Sequence, residues 1–374
     1  MTRWLLLLWI GGTLGAQVTP PGKVPIPEDE RPSKPFVWSE RRLLVAPELF
    51  DAPDEWIDRS LQWADFILGT YRPALPEHPL RRAALLRLDD VLHIESAPRK
   101  ELVQKWYRAR MYRAIEEIER TKVTEGMRIW KLYNHGFLVR TPTVSFTFDF
   151  VPGTRQPGFA IEKEWLARLV TQSDATFISH LHGDHASQDV ARLFLAQGKP
   201  VIAPEGLWKT MPEFAGQLTY PERSAKVHRI PVQGGKQVLE VVAYPGHQGA
   251  TVLNNVHLVR SPEGLTAMQT GDQWNDDAPG TDFDWISHVG RQHAVDVLLP
   301  NCWTRGIARM VRGVNPKLVI TGHENEMAHT VDHREDNTQT YTRLWGVGYP
   351  FVLMTWGESY GYQRVAEPRL GVDK

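Results

Sequence analysis

Ala175-Thr176-Phe177-Ile178-Ser179-His180-Leu181-His182-Gly183-Asp184-His185 places three imidazoles and a carboxylate in six residues, directly behind a short apolar run. The run 175–179 reads as a buried strand, and the polar groups occupy the turn at its C-terminal end. In a tight turn, imidazoles at i and i+2 can aim two nitrogens at one ion. The carboxylate at i+4 and the imidazole at i+5 then offer an oxygen and a nitrogen to a second ion beside it. The alternative is a histidine cluster without metal. Four liganding groups massed against an apolar strand would then carry a desolvation cost that only a cation offsets.

Working outward, 374 residues at 42% hydrophobic and 23% charged can bury one large core and a smaller satellite. Lys and Arg (43) nearly cancel Asp and Glu (44), and no basic run stands out, so the electrostatic footprint of a dedicated nucleic-acid binder is missing. A small-molecule partner is the expectation. The single cysteine, Cys302, excludes an intrachain disulfide and any cysteine-rich zinc module, whereas 14 histidines leave nitrogen/oxygen metal sites open.

Residues 1–16 join Arg3, the apolar run 4–10 and the small residues 11–16 in a signal-peptide profile, with cleavage after Gly15 or Ala16. The apolar run is far shorter than the roughly 20 residues of a spanning helix. The expectation is an exported protein, periplasmic or secreted, with no transmembrane span; an uncleaved anchor or a packed helix is the alternative. Prolines at 20, 21, 25, 27, 32 and 35 make residues 17–50 an extended linker. A helical extension is predicted over 51–125: a helix start at Asp51-Ala52-Pro53, an apolar stripe of Ile57, Leu61, Ala64 and Leu68, a second helix over 80–92, and a third over 98–121 with Val103, Tyr107, Met111, Ala114, Ile115 and Ile118 on one face. Its role is packing, or a lid over a site.

From residue 126 to 374 short strands alternate with helices, which predicts a layered α/β domain. Val144, Phe146 and Phe148 alternate with Ser145, Thr147 and Asp149, a strand with one buried face and Asp149 at its end. Further strands are predicted over 200–203, 238–244, 252–260, 265–271, 295–300 and 317–321, and helices over 162–170 and 187–197.

The motif His180-x-His182-x-Asp184-His185 behind a strand resembles the signature loop of the metallo-β-lactamase-fold hydrolases. The resemblance spans roughly residues 131–355 and implies an αββα four-layer sandwich, here behind an N-terminal helical extension. The later ligands of that family find matches at Tyr244-Pro245-Gly246-His247, Gln269-Thr270-Gly271-Asp272 and Thr321-Gly322-His323. It implies His180, His182 and His247 on one metal, Asp184, His185 and His323 on a second, and Asp272 bridging both. The cofactor implied is a pair of divalent ions, zinc by default, with manganese or iron open. Asp149 resembles the aspartate that hydrogen-bonds the ligand loop. His135 on a turn, and His329 and His333 in the polar segment after His323, are candidates for the pocket. The implied reaction is hydrolysis of an ester, lactone, thioester or phosphodiester by water activated between the ions, with Asp184 orienting it or carrying its proton. Other readings are a metal-dependent oxidoreductase and a silent binding protein. Asp272 stands where one antibiotic-hydrolysing branch has cysteine, which weighs against β-lactam cleavage.

Overall fold

The structure, a computed structural model, describes residues 52–273 and 280–364. The expected signal segment, the linker and Asp51 lie outside the described residues. Helix α1 (Asp54–Thr70) starts behind Pro53 and buries Ile57, Leu61, Ala64 and Leu68. In α2 (Pro79–Leu92) the first position is proline and the His78 ring accepts the Leu80 amide at 3.2 Å, so two of the unpaired N–H groups of the helix start are removed or satisfied. In α3 (Glu101–Arg120) all six residues of the predicted apolar stripe are buried.

The sandwich follows: β1 (Met127–Lys131), β2 (Phe137–Arg140), β3 (Ser145–Phe148), α4 (Lys163–Thr171), β4 (Ala175–Phe177), α5 (Gln188–Ala196), β5 (Val201–Ile202), α6 (Pro212–Ala215), β6 (His228–Val232), β7 (Gln237–Gln248), β8 (Val252–Arg260), β9 (Thr266–Gln269), α7 (Gly280–Ile286), α8 (Val289–Gln292), β10 (Val297–Leu299), α9 (Ile307–Val314), β11 (Leu318–Ile320), α10 (Asn337–Leu344), β12 (Phe351–Val352) and β13 (Ser359–Tyr362). One sheet runs β13-β1-β2-β3-β4-β5 and the other β12-β11-β10-β9-β8-β7-β6.

Two-residue alternation makes the layers. Ile129, Val139, Val241, Val297 and Ile320 enter a core between the sheets, together with Phe146, Phe148 and Phe177. Their neighbours Trp130, Leu138, Val242, Leu298 and Val319 face outward into a second core shared with the helices. The result is helix, sheet, sheet, helix. Strand β3 departs from the expected one-sided burial, because Ser145 and Thr147 are buried as well. It lies inside its sheet, between β2 and β4. Strand β7 continues four residues past the expected end at 244, paired with β8 through Gln248.

The helical extension belongs to the same outer core. Tyr107 of α3 packs on Tyr133, Phe159 and Trp356, with centroids 5.4, 4.7 and 5.5 Å away. Buried Arg81 makes a bidentate pair with Glu358 at 2.7 and 2.6 Å and donates to the Leu353 carbonyl at 2.7 Å. At roughly 2 kcal/mol for each large apolar side chain buried, the stripe of α3 alone resists detachment by more than an opening lid would permit. No helix among the described residues is long and apolar enough to cross a membrane.

Candidate metal centre

Four strands deliver the central residues from their C-terminal ends. β3 runs parallel to β4, and β9, β10 and β11 are mutually parallel, so Asp149, the loop 180–185, Asp272 and His323 leave the sheets on the same side. Asp149 and His323 have left-handed backbones, with φ of 40° and 77°. Gly271 is also left-handed, at 53°, and a β-carbon there would stand 2.1 Å from Asn254 Oδ1 and 2.4 Å from Ser179 Cβ. Only glycine lets the Asp272 loop approach the histidine loop this closely.

Asp184, His185, Asp272 and His323 bring one donor atom each within 4.8 Å of one another, and His180, His182 and Asp272 form a second such group. Asp272 belongs to both. Its Oδ1 lies 3.1 Å from His185 Nε2 and 3.7 Å from His323 Nε2, while Oδ2 lies 3.7 Å from His180 Nε2. Asp184 Oδ2 is 3.2 Å from His185 Nε2 and 3.3 Å from His323 Nε2. Asp272 is held by two amides: Asn301 Nδ2 donates to Oδ1 at 2.6 Å and Gln248 Nε2 to Oδ2 at 2.9 Å. Asn134 Nδ2 donates to Asp184 Oδ2 at 3.0 Å.

The Nε2 atoms of His180, His185 and His323 are buried without an aligned hydrogen-bond partner among the described residues. Each such atom costs on the order of 1–3 kcal/mol unless something satisfies it. All three converge on two carboxylates, so imidazole nitrogen and carboxylate oxygen surround a space that suits a divalent cation such as zinc, manganese or iron.

Asp149 orders two of these rings. It is fully buried; Oδ1 accepts the Ser179 amide at 2.7 Å, and Oδ2 accepts Ser179 Oγ at 2.7 Å, His185 Nδ1 at 2.9 Å and Gln269 Nε2 at 2.5 Å. With the Ser179 hydroxyl proton committed to Asp149, its oxygen faces His180 Nδ1 at 2.9 Å as an acceptor. In its neutral form each histidine then carries its proton on Nδ1 and presents the Nε2 lone pair to the centre. Burial, followed by the charge of His185, drives His180 down to about 3. Burial also disfavours the charged form of His185, but Asp272, Asp184 and Asp149 outweigh it and raise that ring well above the usual range. Burial would raise Asp272 and Asp184, yet neighbouring histidines hold both carboxyls well below the ordinary value.

His323 differs. Trp303 Nε1 donates to its Nδ1 at 3.0 Å, which places the ring proton on Nε2 in this arrangement. Nε2 becomes a donor to a cation only when the indole releases Nδ1. His247 is part of neither close group: its Nδ1 lies 3.1 Å from Asp282 Oδ1, and Asp282 Oδ2 accepts Gln273 Nε2 at 2.7 Å. The next residue of β7, Gln248, is the one that reaches Asp272. His135 has both nitrogens engaged, with Leu299 O at 3.1 Å and Gln269 Nε2 at 3.3 Å, and stands edge-on to His185. His329 lies 5.5 Å from the His323 ring, its Nδ1 facing the His333 carbonyl at 3.2 Å; His333 is exposed. Cys302 is buried and its thiol pushed well above the usual range, by burial first.

Sequence reasoning missed Ser179, Gln248, Gln269, Asp282, Asn301 and Glu326. The signal available for Gln269 and Asn301 was a lone amide at the end of an apolar strand. Glu326 is buried with one oxygen unpartnered, and burial, helped by the charge of Asp184, pushes its carboxyl up to about 7.

No family model and no curated protein matches the chain. Solved structures do. A metallo hydrolase from the archaeon Ignicoccus hospitalis is 14% identical, covering 64% of this chain and 99% of its own, with TM-score 0.48. A Thermotoga maritima protein assigned to the metallo-β-lactamase superfamily is 14% identical over 59% of this chain and 86% of its own, with TM-score 0.32. The diiron β-hydroxylase CmlA from Streptomyces venezuelae is 13% identical over 65% of this chain and 55% of its own, with TM-score 0.46. The chain itself folds as a helix-sheet-sheet-helix sandwich. Its two sheets, outer helices and strand-end histidine loop are those the resemblance implied.

Proposed function

We propose that this protein is a dinuclear metal-dependent hydrolase acting on an ester, lactone, thioester or phosphodiester. The observation that carries the reading is Asp272: one carboxylate whose two oxygens face two separate histidine groups with orphaned nitrogens. His180, His182 and Asp272 would hold one ion and Asp184, His185, His323 and Asp272 the other, with His247 completing the first group if its free Nε2 turns inward. Two divalent ions so held, zinc by default, supply an activated water near neutral pH and polarise the substrate oxygen. Asp184 is the residue that would orient the water: its side chain is 16% exposed, its Oδ2 is aimed by Asn134, and neighbouring histidines keep it a carboxylate that can accept a hydrogen bond from water. Ser179, Asp149 and Gln269 hold the histidines in the correct tautomer.

The test is elemental analysis of purified protein, followed by a panel of lactone, thioester, phosphodiester and β-lactam substrates before and after chelation. Two bound ions per chain and a chelator-sensitive hydrolysis support the proposal. A metal-replete protein with at most one ion, or hydrolysis that survives chelation, refutes it. The proposal includes export: the mature chain should begin near Gln17 by mass spectrometry, and an intact Met1 in a cytosolic fraction would count against it.

A further inference from the structure

Beside the centre lies a cavity of about 370 Å³ whose walls come from three parts of the chain. Arg99 and Glu95 belong to the stretch between α2 and α3 of the extension, Arg155 to the loop after β3, and His329 and Arg334 to the segment after β11. It adjoins the centre on two sides. The His329 ring packs 5.5 Å from His323, and a β-carbon placed on Gly183, inside the histidine loop, would lie 3.2 Å from Arg155 Nη2.

Charge in this cavity is unbalanced. Three guanidiniums stand against one carboxylate, Glu95. Arg334 is buried and spends its donors on the carbonyls of His329, Leu92 and Ile94, at 3.0, 2.9 and 3.1 Å. Arg99 and Arg155 are exposed and neither guanidinium makes an ion pair or hydrogen bond among the described residues. Two unspent bidentate donors lining one cavity are what recognition of a planar or tetrahedral anion requires.

The extension sets their spacing. Gln104 of α3, a buried amide, donates to the Pro98 carbonyl at 2.8 Å and the Pro157 carbonyl at 2.9 Å, so one side chain ties the backbone next to Arg99 to the backbone near Arg155. Tyr107 fixes the same loop through the Pro152 carbonyl at 2.7 Å, and Arg108 through the Gly158 carbonyl. Gly158 is left-handed at φ 84°, and a β-carbon there would collide with Gln104 Oε1 at 2.2 Å. A freely moving loop would have no need of so close a fit.

We infer that this cavity is the substrate's anion subsite: Arg99 and Arg155 hold a carboxylate or phosphate carried by the molecule whose scissile bond lies at the metal centre. The inference rests on the hydrolase reading for the word substrate, and on the cavity alone for the anion. It gives the N-terminal extension a role in specificity, with Gln104 as a positioning residue.

The test is calorimetric titration of metal-loaded protein with glutarate, phenyl phosphate and the neutral glutaramide. Wild type should bind glutarate or phenyl phosphate, the stronger of the two showing which anion is meant, and glutaramide at least about tenfold more weakly. Arg99→Ala/Arg155→Ala should weaken the anion by about 10- to 100-fold, with metal content and thermal unfolding unchanged because both side chains are exposed. Arg155→Lys should recover part of the loss. Equal anion affinity in wild type and double variant, or no preference over glutaramide, overturns the subsite. With paired p-nitrophenyl esters, wild type should prefer the hemiglutarate over the butyrate in kcat/KM and the double variant should not. Failure to cleave either ester counts against the hydrolase reading, while the titrations still decide the subsite.

Discussion

Asp149→Asn tests how the histidines are held. The native carboxylate accepts four donors, three of them on Oδ2. An asparagine oxygen can replace Oδ2, but its amide group then meets the Ser179 N–H, two donors face to face. Three charge-assisted bonds become neutral ones, each losing about 1 kcal/mol, and the unpaired amide adds about 1–3 kcal/mol, partly offset because a buried charge disappears. A net destabilisation of about 3 kcal/mol in the metal-free protein is expected. Loss of such an orienting partner typically weakens metal binding by about 10- to 100-fold, so the stabilisation conferred by metal should shrink by about 1.4–2.7 kcal/mol. Competition against a chromophoric chelator measures the first quantity, and urea unfolding with and without metal the second. Ser179→Ala, which interrupts only the branch to His180, should cost about tenfold. If folded Asp149→Asn binds metal as tightly as wild type, the relay from Asp149 through Ser179 to His180 and directly to His185 is wrong.

Asp184→Asn should keep the fold, since Asp184 is only partly buried, and lose activity by about 10²- to 10⁴-fold; Cys302→Ser should leave the rate within about twofold, and a reversal of the two would relocate the chemistry. Trp303→Phe removes the N–H that occupies His323 Nδ1; if His323 binds metal, affinity by chelator competition should stay level or rise about fivefold, roughly 1 kcal/mol for the bond released, and a loss would show that the indole supports the site. His257 is buried with both nitrogens unpartnered among the described residues, and burial holds it down to about 4. The unfolded chain takes up that proton below about pH 6.5, so this stability is present above 6.5 and lost as pH falls toward 4, about 2 kcal/mol between pH 7 and pH 5. His257→Leu should flatten that part of the acid limb in urea midpoints, and an unchanged slope would refute the assignment.

The loop 180–185 was legible because its chemistry is local: a three-residue strand followed by four liganding groups needs no distant partner to be recognised. Asp149, Asp272 and His323 could be found the same way, each just past an apolar strand. Helix faces in the extension were equally readable, since the 3.6-residue period sorts apolar from charged side chains. The end of β7 was not. His247 and Gln248 are both polar, and the pleat sends neighbours to opposite faces, so the register against β8 alone decides which one meets Asp272. Pairings across the chain were likewise invisible: His247 with Asp282, Trp303 with His323, and Gln104 with the carbonyls of Pro98 and Pro157. A hydrogen bond depends on two atoms lying within about 3 Å in the right direction, and no single segment contains that information when its partner is tens of residues away. The sequence determined which groups stand at the strand ends; packing of the two sheets and of the extension decided which nitrogen of each ring faces the centre, and that two arginines without partners among the described residues share the cavity beside it.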